Sequence, residues 1–176
     1  MKLKHSAILA MPFLLMTLTG CSGTKDSSSS QKSAPEETYP STKSIKLAVK
    51  KATKSDEGDL VLAGEHDASL RFSDITKSPD ADKYAGKVKQ ISGEVFDVKN
   101  TKSKDGKMYY IEDAANNGHV YVLYTNKTGV RKDDILSGLA VIAGKMTYPT
   151  SHNRTEKAVL VAAQKSNIQN NGAVGK

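Results

Sequence analysis

Tyrosine is the residue type in this chain best suited to ligand binding. The sequence holds seven tyrosines, three phenylalanines and no tryptophan, and most of the tyrosines follow residue 100. A tyrosine ring can stack on a sugar or a base, and a nearby cation can contact a charged backbone. Tyrosines interleaved with cations therefore predict a binding surface. Its candidate residues are Lys102, Lys104, Lys107, Tyr109, Tyr121, Tyr124, Tyr148 and Arg154.

These tyrosines also have a purely structural interpretation. A buried tyrosine fills a core with its ring and brings its hydroxyl to the rim, where the hydroxyl finds a hydrogen-bond partner. Sequence alone leaves both interpretations open, because a strand presents alternate residues to opposite faces.

Residue patterns for catalysis or metal binding are sparse. His66, His119 and His152 do not stand at metal-ligand spacing from each other or from a cysteine. The chain has neither a Gly-x-Ser-x-Gly elbow nor a phosphate-binding loop. We therefore predict no catalytic residue, no metal site, no cofactor and no enzymatic activity. The alternative is an accessory enzyme of envelope polysaccharide that uses paired carboxylic acids, with Glu94, Glu112 and Asp113 as candidates.

The first 21 residues have the pattern of an export signal. Lys2 and Lys4 precede an apolar stretch at 7–18, and small residues follow it before Cys21. Twelve apolar residues are too few to span a bilayer, which takes about 20. The run Leu18-Thr19-Gly20-Cys21 resembles the lipobox of bacterial lipoproteins. That resemblance implies a signal peptide at 1–20, lipidation of Cys21 and a position on the extracytoplasmic face of the cell membrane.

The net charge is compatible with anionic partners. The chain carries 26 basic and 19 acidic residues, a formal charge of +7, and removal of Lys2 and Lys4 with the signal leaves +5. A basic exported protein suits anionic lipid headgroups or cell-wall polyanions. We expect the membrane as one partner, through Cys21, and a cell-wall polyanion or another surface protein as a second. A nucleic acid is the less favoured partner.

Composition divides the mature chain into four segments. Residues 21–42 are rich in serine and nearly free of aliphatic residues, which predicts a flexible linker. Alternating apolar residues at 45–49 and a short apolar run at 60–62 predict a β-hairpin extension at 43–68. Residues 69–168 form the main domain, and the polar residues 169–176 predict a disordered tail.

The main domain is predicted to be mainly β. Ser73 is the expected N-cap of a short helix before Pro79, and five strands follow between residues 88 and 163. The first strand is long, and its apolar alternation changes phase beyond Gly93, which predicts a bend or bulge at that glycine. A bent first strand can pair on both sides of a closing sheet. This favours a five-stranded Greek-key barrel of the oligonucleotide/oligosaccharide-binding (OB) type over a small β-sandwich.

The domain contains a set of short motifs: Phe72-Ser73-Asp74-Ile75, Asp82-Lys83-Tyr84-Ala85-Gly86-Lys87, Ser92-Gly93-Glu94-Val95, Asp133-Asp134-Ile135, Gly144-Lys145 and Thr147-Tyr148. Together they resemble a family of Gram-positive surface lipoproteins with an OB-like barrel. The resemblance covers residues 70–168. It implies a lipid-anchored extracytoplasmic binding or interaction module of unknown ligand, and it carries no catalytic residues. A nucleic-acid binder at the cell surface remains a further alternative.

Overall fold

Six β-strands and two α-helices make up most of the regular structure of the described residues. The computed structural model describes residues 36–54, 69–101, 106–150 and 154–173. The helices are α1 (Thr42–Lys54) and α2 (Phe72–Thr76). The strands are β1 (Val88–Asn100), β2 (Lys107–Asp113), β3 (His119–Thr125), β4 (Asp134–Pro149), β5 (Thr155–Ala163) and β6 (Ile168–Ala173).

The first five strands close into a barrel. They are hydrogen-bonded in the order β1-β2-β3-β5-β4, and β4 also pairs with β1, which completes the ring. The β3–β5 pair is parallel, and the other pairs are antiparallel. The first half of β1 pairs with β4 and its second half with β2, as predicted for a bent first strand. This five-stranded Greek-key arrangement confirms the OB-type barrel.

Gly93 lies where β1 passes from one partner strand to the other. It is opposite Leu136 of β4, and the next residue, Glu94, already pairs with Glu112 of β2. A Cβ atom on Gly93 would lie 2.3 Å from the backbone oxygen of Glu112, so only glycine permits this approach. The register shift itself falls further on, between Val95 and Asp97. The predicted bulge therefore exists, but it begins two residues after Gly93.

Two apolar clusters hold the barrel together. The first fills its interior with alternate residues of the strands, such as Ile91, Ile111 and Leu123, and α2 contributes Ile75 to it. The second lies on the outer face and includes Val122, Leu160, Met146 and the buried side of α1. Because both faces of β3, β4 and β5 are covered, these strands are nearly continuous runs of apolar residues.

Helix α1 replaces the first strand of the predicted hairpin at 43–68. Its sequence also fits a helical period, since Ser44, Ala48 and Ala52 are four residues apart and all three are buried. Alternation over only five residues, 45–49, could not distinguish this pattern from a strand. The helix packs against β4 and β5 through small side chains that allow close approach. The second predicted strand, at 60–62, lies outside the described residues.

Strand β6 corrects the prediction of a disordered tail at 169–176. Residues 168–173 pair with the first part of β4, and the side-chain amide of Asn170 donates to Asp134 at 2.9 Å. Composition missed this strand because its residues after Ile168 are polar, glycine or alanine, and backbone hydrogen bonds supply the pairing. Residues 174–176 lie outside the described part of the chain.

Helix α2 begins two residues earlier than the predicted N-cap at Ser73 requires. Ser73 is inside the helix, and Arg71 precedes its first residue. The carboxylate of Asp74 accepts from the backbone N–H of Arg71 at 3.0 Å, so the aspartate anchors this end of the helix. The predicted short helix before Pro79 is otherwise confirmed.

A candidate ligand-binding cleft on the outer face of the barrel

A cleft of about 550 Å³ opens on the outer face of the barrel. It lies over β1 and β2 and reaches the ends of β4 and β5. OB barrels bind their ligands on strands two and three and on the loops after strands one and four, and the cleft lining includes residues of β2, of β3 and of the loop after β4. The volume is within the usual range of small-molecule sites, about 300–1,000 Å³. The cleft is lined by Phe96, Asp97, Lys99, Tyr110, Glu112, Gly118, Val120, Lys132, Tyr148, Pro149, Thr150 and Glu156.

Three aromatic rings from three different strands meet in this cleft. The ring centroids of Phe96 and Tyr110 are 6.0 Å apart, and those of Tyr110 and Tyr148 are 5.7 Å apart. Phe96 and Tyr148 complete the triangle at 6.3 Å. The bulge after Val95 explains how Phe96 comes to face outward while Val98 still packs against the interior cluster. The bulge thus shifts side-chain alternation by one residue and places the ring of Phe96 in the cleft.

The three rings differ in their exposure to solvent. Tyr110 and Tyr148 are buried, with 1% and 6% of their surface exposed, whereas Phe96 is half-buried. The ammonium group of Lys99 stands 4.8 Å from the centroid of the Tyr110 ring, a cation–π arrangement. A ligand entering the cleft would therefore meet Phe96 and Lys99 before it reached the two tyrosine rings.

Residues 36–41, here called the strap, run across the barrel beside this cleft. Thr38 forms two backbone hydrogen bonds with Thr147 of β4, at 3.2 and 3.0 Å. The carboxylate of Glu37 accepts from the hydroxyl of Tyr110 at 3.0 Å and also contacts Lys99 and Tyr39. The strap belongs to the predicted flexible linker at 21–42, so that prediction is wrong for 36–41. Residues 21–35 lie outside the described residues.

Hydrogen bonding and burial shift the pKa values of the groups around the cleft. Burial raises the pKa of the Glu37 carboxyl, but hydrogen bonds from Lys99, Tyr39 and Tyr110 outweigh it and lower the pKa overall. Burial, assisted by the charge of Glu37, raises the pKa of Tyr110. Burial also raises the pKa of Tyr148, and so does the hydrogen bond that its hydroxyl donates to Glu156 at 3.0 Å. Both tyrosines therefore remain protonated donors at neutral pH.

Acidic residues outnumber basic ones around the cleft. Asp97, Glu112 and Glu156 line it, against Lys99 and Lys132. Glu37 on the strap adds a fourth carboxylate and takes Lys99 as its partner. The charge around the cleft is therefore negative, opposite in sign to the net charge of the chain, and it disfavours the binding of a polyanion.

The predicted ligand-binding residues do not lie together in the structure. Tyr109 and Tyr121 belong to the interior cluster, so their assignment to a binding surface is wrong. The hydroxyl of Tyr109 reaches the carbonyl of Lys127 at 2.8 Å, and burial raises the pKa of Tyr121 to about 12. Tyr124 packs in the outer cluster, away from the cleft lining.

Among the predicted residues that the structure describes, Tyr148 alone belongs to the cleft lining. It lies near the end of β4. Lys107 begins β2, and Arg154 is exposed just before β5; the lining includes neither. Lys102 and Lys104 lie outside the described residues.

Sequence reasoning missed four residues of this arrangement. Phe96 and Tyr110 were not selected, although the phase change in β1 and the pair of adjacent tyrosines in β2 were available signals. Glu37 and Tyr39 fell in a segment whose composition indicated a linker. Tyr39 keeps 47% of its surface exposed while its hydroxyl contacts Glu37.

The candidate carboxylic acids do not act as a single pair. Glu94 and Glu112 are cross-strand neighbours and exposed, whereas Asp113 is buried and accepts from the side-chain amide of Asn116 at 2.7 Å. Glu112 and Asp113 therefore point to opposite faces of β2. His119 stacks on Phe72 with 4.2 Å between ring centroids.

The described residues contain neither a cluster of metal-ligand side chains nor a membrane-spanning helix. Within 36–54, 69–101, 106–150 and 154–173, no group of three or more His, Cys, Asp or Glu side chains is placed to hold a metal ion. Over the same ranges, no helix has both the length and the apolar character needed to cross a bilayer.

Comparison with known proteins gives structural similarity only. No family model matches the chain, and no curated protein matches it. Two crystal structures of Rim1, the mitochondrial single-stranded DNA binding protein of S. cerevisiae, are similar to part of the chain. Their sequences are 11% and 12% identical to it; each comparison covers 50% of this chain and 97% of the other, with a TM-score of 0.35. The OB-type assignment follows from the strand order and pairing described above.

Proposed function

We propose that this protein is a lipid-anchored extracytoplasmic binding module whose ligand is a hydroxyl-rich glycan. The observation that carries the proposal is the cleft, in which aromatic rings and carboxylates meet on the binding side of an OB-type barrel. Carboxylates accept hydrogen bonds from sugar hydroxyls, and aromatic rings pack against the apolar faces of sugar rings. The half-buried Phe96 and the exposed Tyr39 are the rings available for that contact.

Charge favours a glycan over an oligonucleotide or a teichoic acid. A polyphosphate in this cleft would face Asp97, Glu112 and Glu156, whereas Lys99 is engaged by Glu37. Neutral hydroxyl groups meet no such repulsion. Binding that depended on phosphate contacts would weaken steeply as salt is added, because bound counterions are released on association. Binding of a neutral glycan should change little with salt.

The anchor is proposed from the sequence of the first 21 residues. We expect the mature chain to begin at a lipidated Cys21, because a multiply acylated cysteine holds a protein at a bilayer that one acyl chain binds only marginally. Cys21→Ala should abolish acylation and either release the protein or leave an uncleaved precursor. Intact mass of the membrane-extracted protein and of the variant is the measurement. A mature chain that starts elsewhere, or an unmodified Cys21, would contradict the anchor.

The cleft can be tested with a pair of substitutions matched for exposure. Tyr39 is 47% exposed beside the cleft, and Leu47 is 46% exposed on α1. In titrations of cell-wall glycan fragments, Tyr39→Ala should weaken binding about tenfold, the loss of one aromatic contact of about 1.4 kcal/mol. Leu47→Ala should leave the affinity unchanged. Phe96→Ala should weaken binding at least as much, with a thermal melt to confirm that the barrel remains folded.

Three ligands separate the alternatives in the same titration. A neutral glycan should bind with little salt dependence, and neither teichoic acid nor single-stranded DNA should compete with it. If a polyanion binds instead, and its affinity falls steeply with salt, the glycan proposal fails. It also fails if Tyr39→Ala and Phe96→Ala bind glycan as tightly as the unmodified chain.

A further inference from the structure

Helix α1 has a strongly basic outer side. Its thirteen residues include five lysines, and none is acidic. Ser44, Ala48 and Ala52 are buried against the barrel, Ile45 and Val49 are partly buried there, and the opposite side of the helix faces solvent. Lys51 turns back toward the barrel and donates to the carbonyl of Gly86 at 2.8 Å. The exposed lysines of the helix are Lys43, Lys46, Lys50 and Lys54.

An apolar side chain lies among these lysines. Leu47 is 46% exposed, and it is one of two large apolar residues of the described chain that are so exposed. Its side chain comes within 3.4 Å of the Cβ position of Gly86, so the loop at 84–87 lies beside it. Lys83 and Lys87 flank the ring of Tyr84 there, at 5.0 and 5.8 Å from its centroid. A single acid, Asp82, belongs to the turn at 81–84 that leads into this loop.

We infer that the exposed side of α1 and the neighbouring loop form a surface that binds anionic lipid headgroups. The inference rests on the proposed anchor at Cys21. A basic helix with an apolar side chain among its lysines is suited to the membrane interface, where lysines attract anionic lipids and the apolar group inserts. Proximity favours lipid over other polyanions, because α1 begins 21 residues after Cys21 and directly after the strap. The anchor therefore keeps this surface close to the bilayer.

The surface is predicted to bind vesicles without help from the acyl chains. Both apolar clusters are formed by described residues between Ile45 and Ile168, so a chain starting at residue 22 retains them completely. This chain should co-sediment with vesicles of phosphatidylcholine and phosphatidylglycerol at a ratio of 3:1. It should not co-sediment with phosphatidylcholine alone, and 0.5 M salt should release it.

Two triple variants with the same change in charge provide the decisive comparison. Each lysine near an anionic surface contributes about a fivefold increase in binding, so Lys43→Gln, Lys46→Gln and Lys50→Gln together should weaken vesicle binding roughly 100-fold. Glutamine keeps a helix propensity close to that of lysine, so α1 should persist. Lys127→Gln, Lys157→Gln and Lys165→Gln remove three charges from other parts of the barrel surface and should weaken binding by less than about threefold. Circular dichroism of both variants checks the fold.

Several outcomes would overturn this inference. They are no binding to the anionic vesicles at low salt, equal binding to the neutral ones, or equal losses in the two triple variants. None of these results depends on acylation of Cys21 or on a glycan in the cleft. A failure here is therefore distinguishable from a failure of the proposed function.

Discussion

Gly93→Val is expected to cost the barrel about 3 kcal/mol of unfolding free energy, the upper part of the range for overpacked sites. The new Cβ atom would stand 2.3 Å from the backbone oxygen of Glu112 and 2.9 Å from a side-chain carbon of Ile111. A backbone oxygen cannot rotate away as a side chain can, so β1 and β2 must separate where β1 changes partner. Urea denaturation monitored by tyrosine fluorescence measures the loss.

The adjacent residue provides the control for this substitution. Ser92 is exposed on the same strand, so Ser92→Val adds a β-branched side chain without this clash. Its effect should be within about 0.5 kcal/mol, as for ordinary surface positions. Equal stabilities for the two variants would show that β1 and β2 do not approach closely at Gly93.

Gly138→Ala is expected to detach β6 from the barrel and to cost about 3 kcal/mol, since strain at a special backbone position and displacement of a neighbour both contribute. Gly138 lies in β4 with φ at +154°, a region that favours glycine. Its added Cβ atom would stand 2.0 Å from the backbone oxygen of Asn167, just before β6. Amide hydrogen exchange should then show lost protection in 168–173 before the rest of the sheet.

Gly129→Ala is the matched control for this second substitution. Gly129 also has a positive φ, at +80°, but no atom lies within 4 Å of its Cβ position. The alanine should therefore cost only the intrinsic strain, about 1 kcal/mol. If both alanines cost the same and β6 stays protected, the contact between Gly138 and Asn167 does not hold the strand in place.

Much of the barrel could be predicted from sequence because its strands carry strong local signals. Apolar alternation, glycine and paired turn residues located β1 to β5, and the phase change in β1 indicated its double pairing. Helix α1 and β6 could not be located in this way. Small residues such as Ala48 and Ala52 are compatible with a helix or a strand, and the polar residues of β6 are held mainly by backbone hydrogen bonds.

The binding cleft was less predictable because it depends on which face each side chain occupies. Tyr109 and Tyr110 are adjacent in sequence, yet the first fills the interior and the second faces the cleft. The shift of one residue at the bulge likewise determines that Phe96 faces the cleft and not the barrel interior. Glu37 reaches the cleft from a segment more than 60 residues away in sequence, which local patterns cannot detect.

The strap has a consequence for where the chain that follows the proposed anchor joins the fold. Residues 36–41 are held against the barrel by Thr147 and by the partners of Glu37, although six residues could span about 20 Å if extended. A chain attached to the membrane through Cys21 would therefore meet the barrel at residue 36, beside the cleft, and not at the first turn of α1. Only the fourteen residues 22–35 would then separate the proposed anchor from the binding side of the barrel.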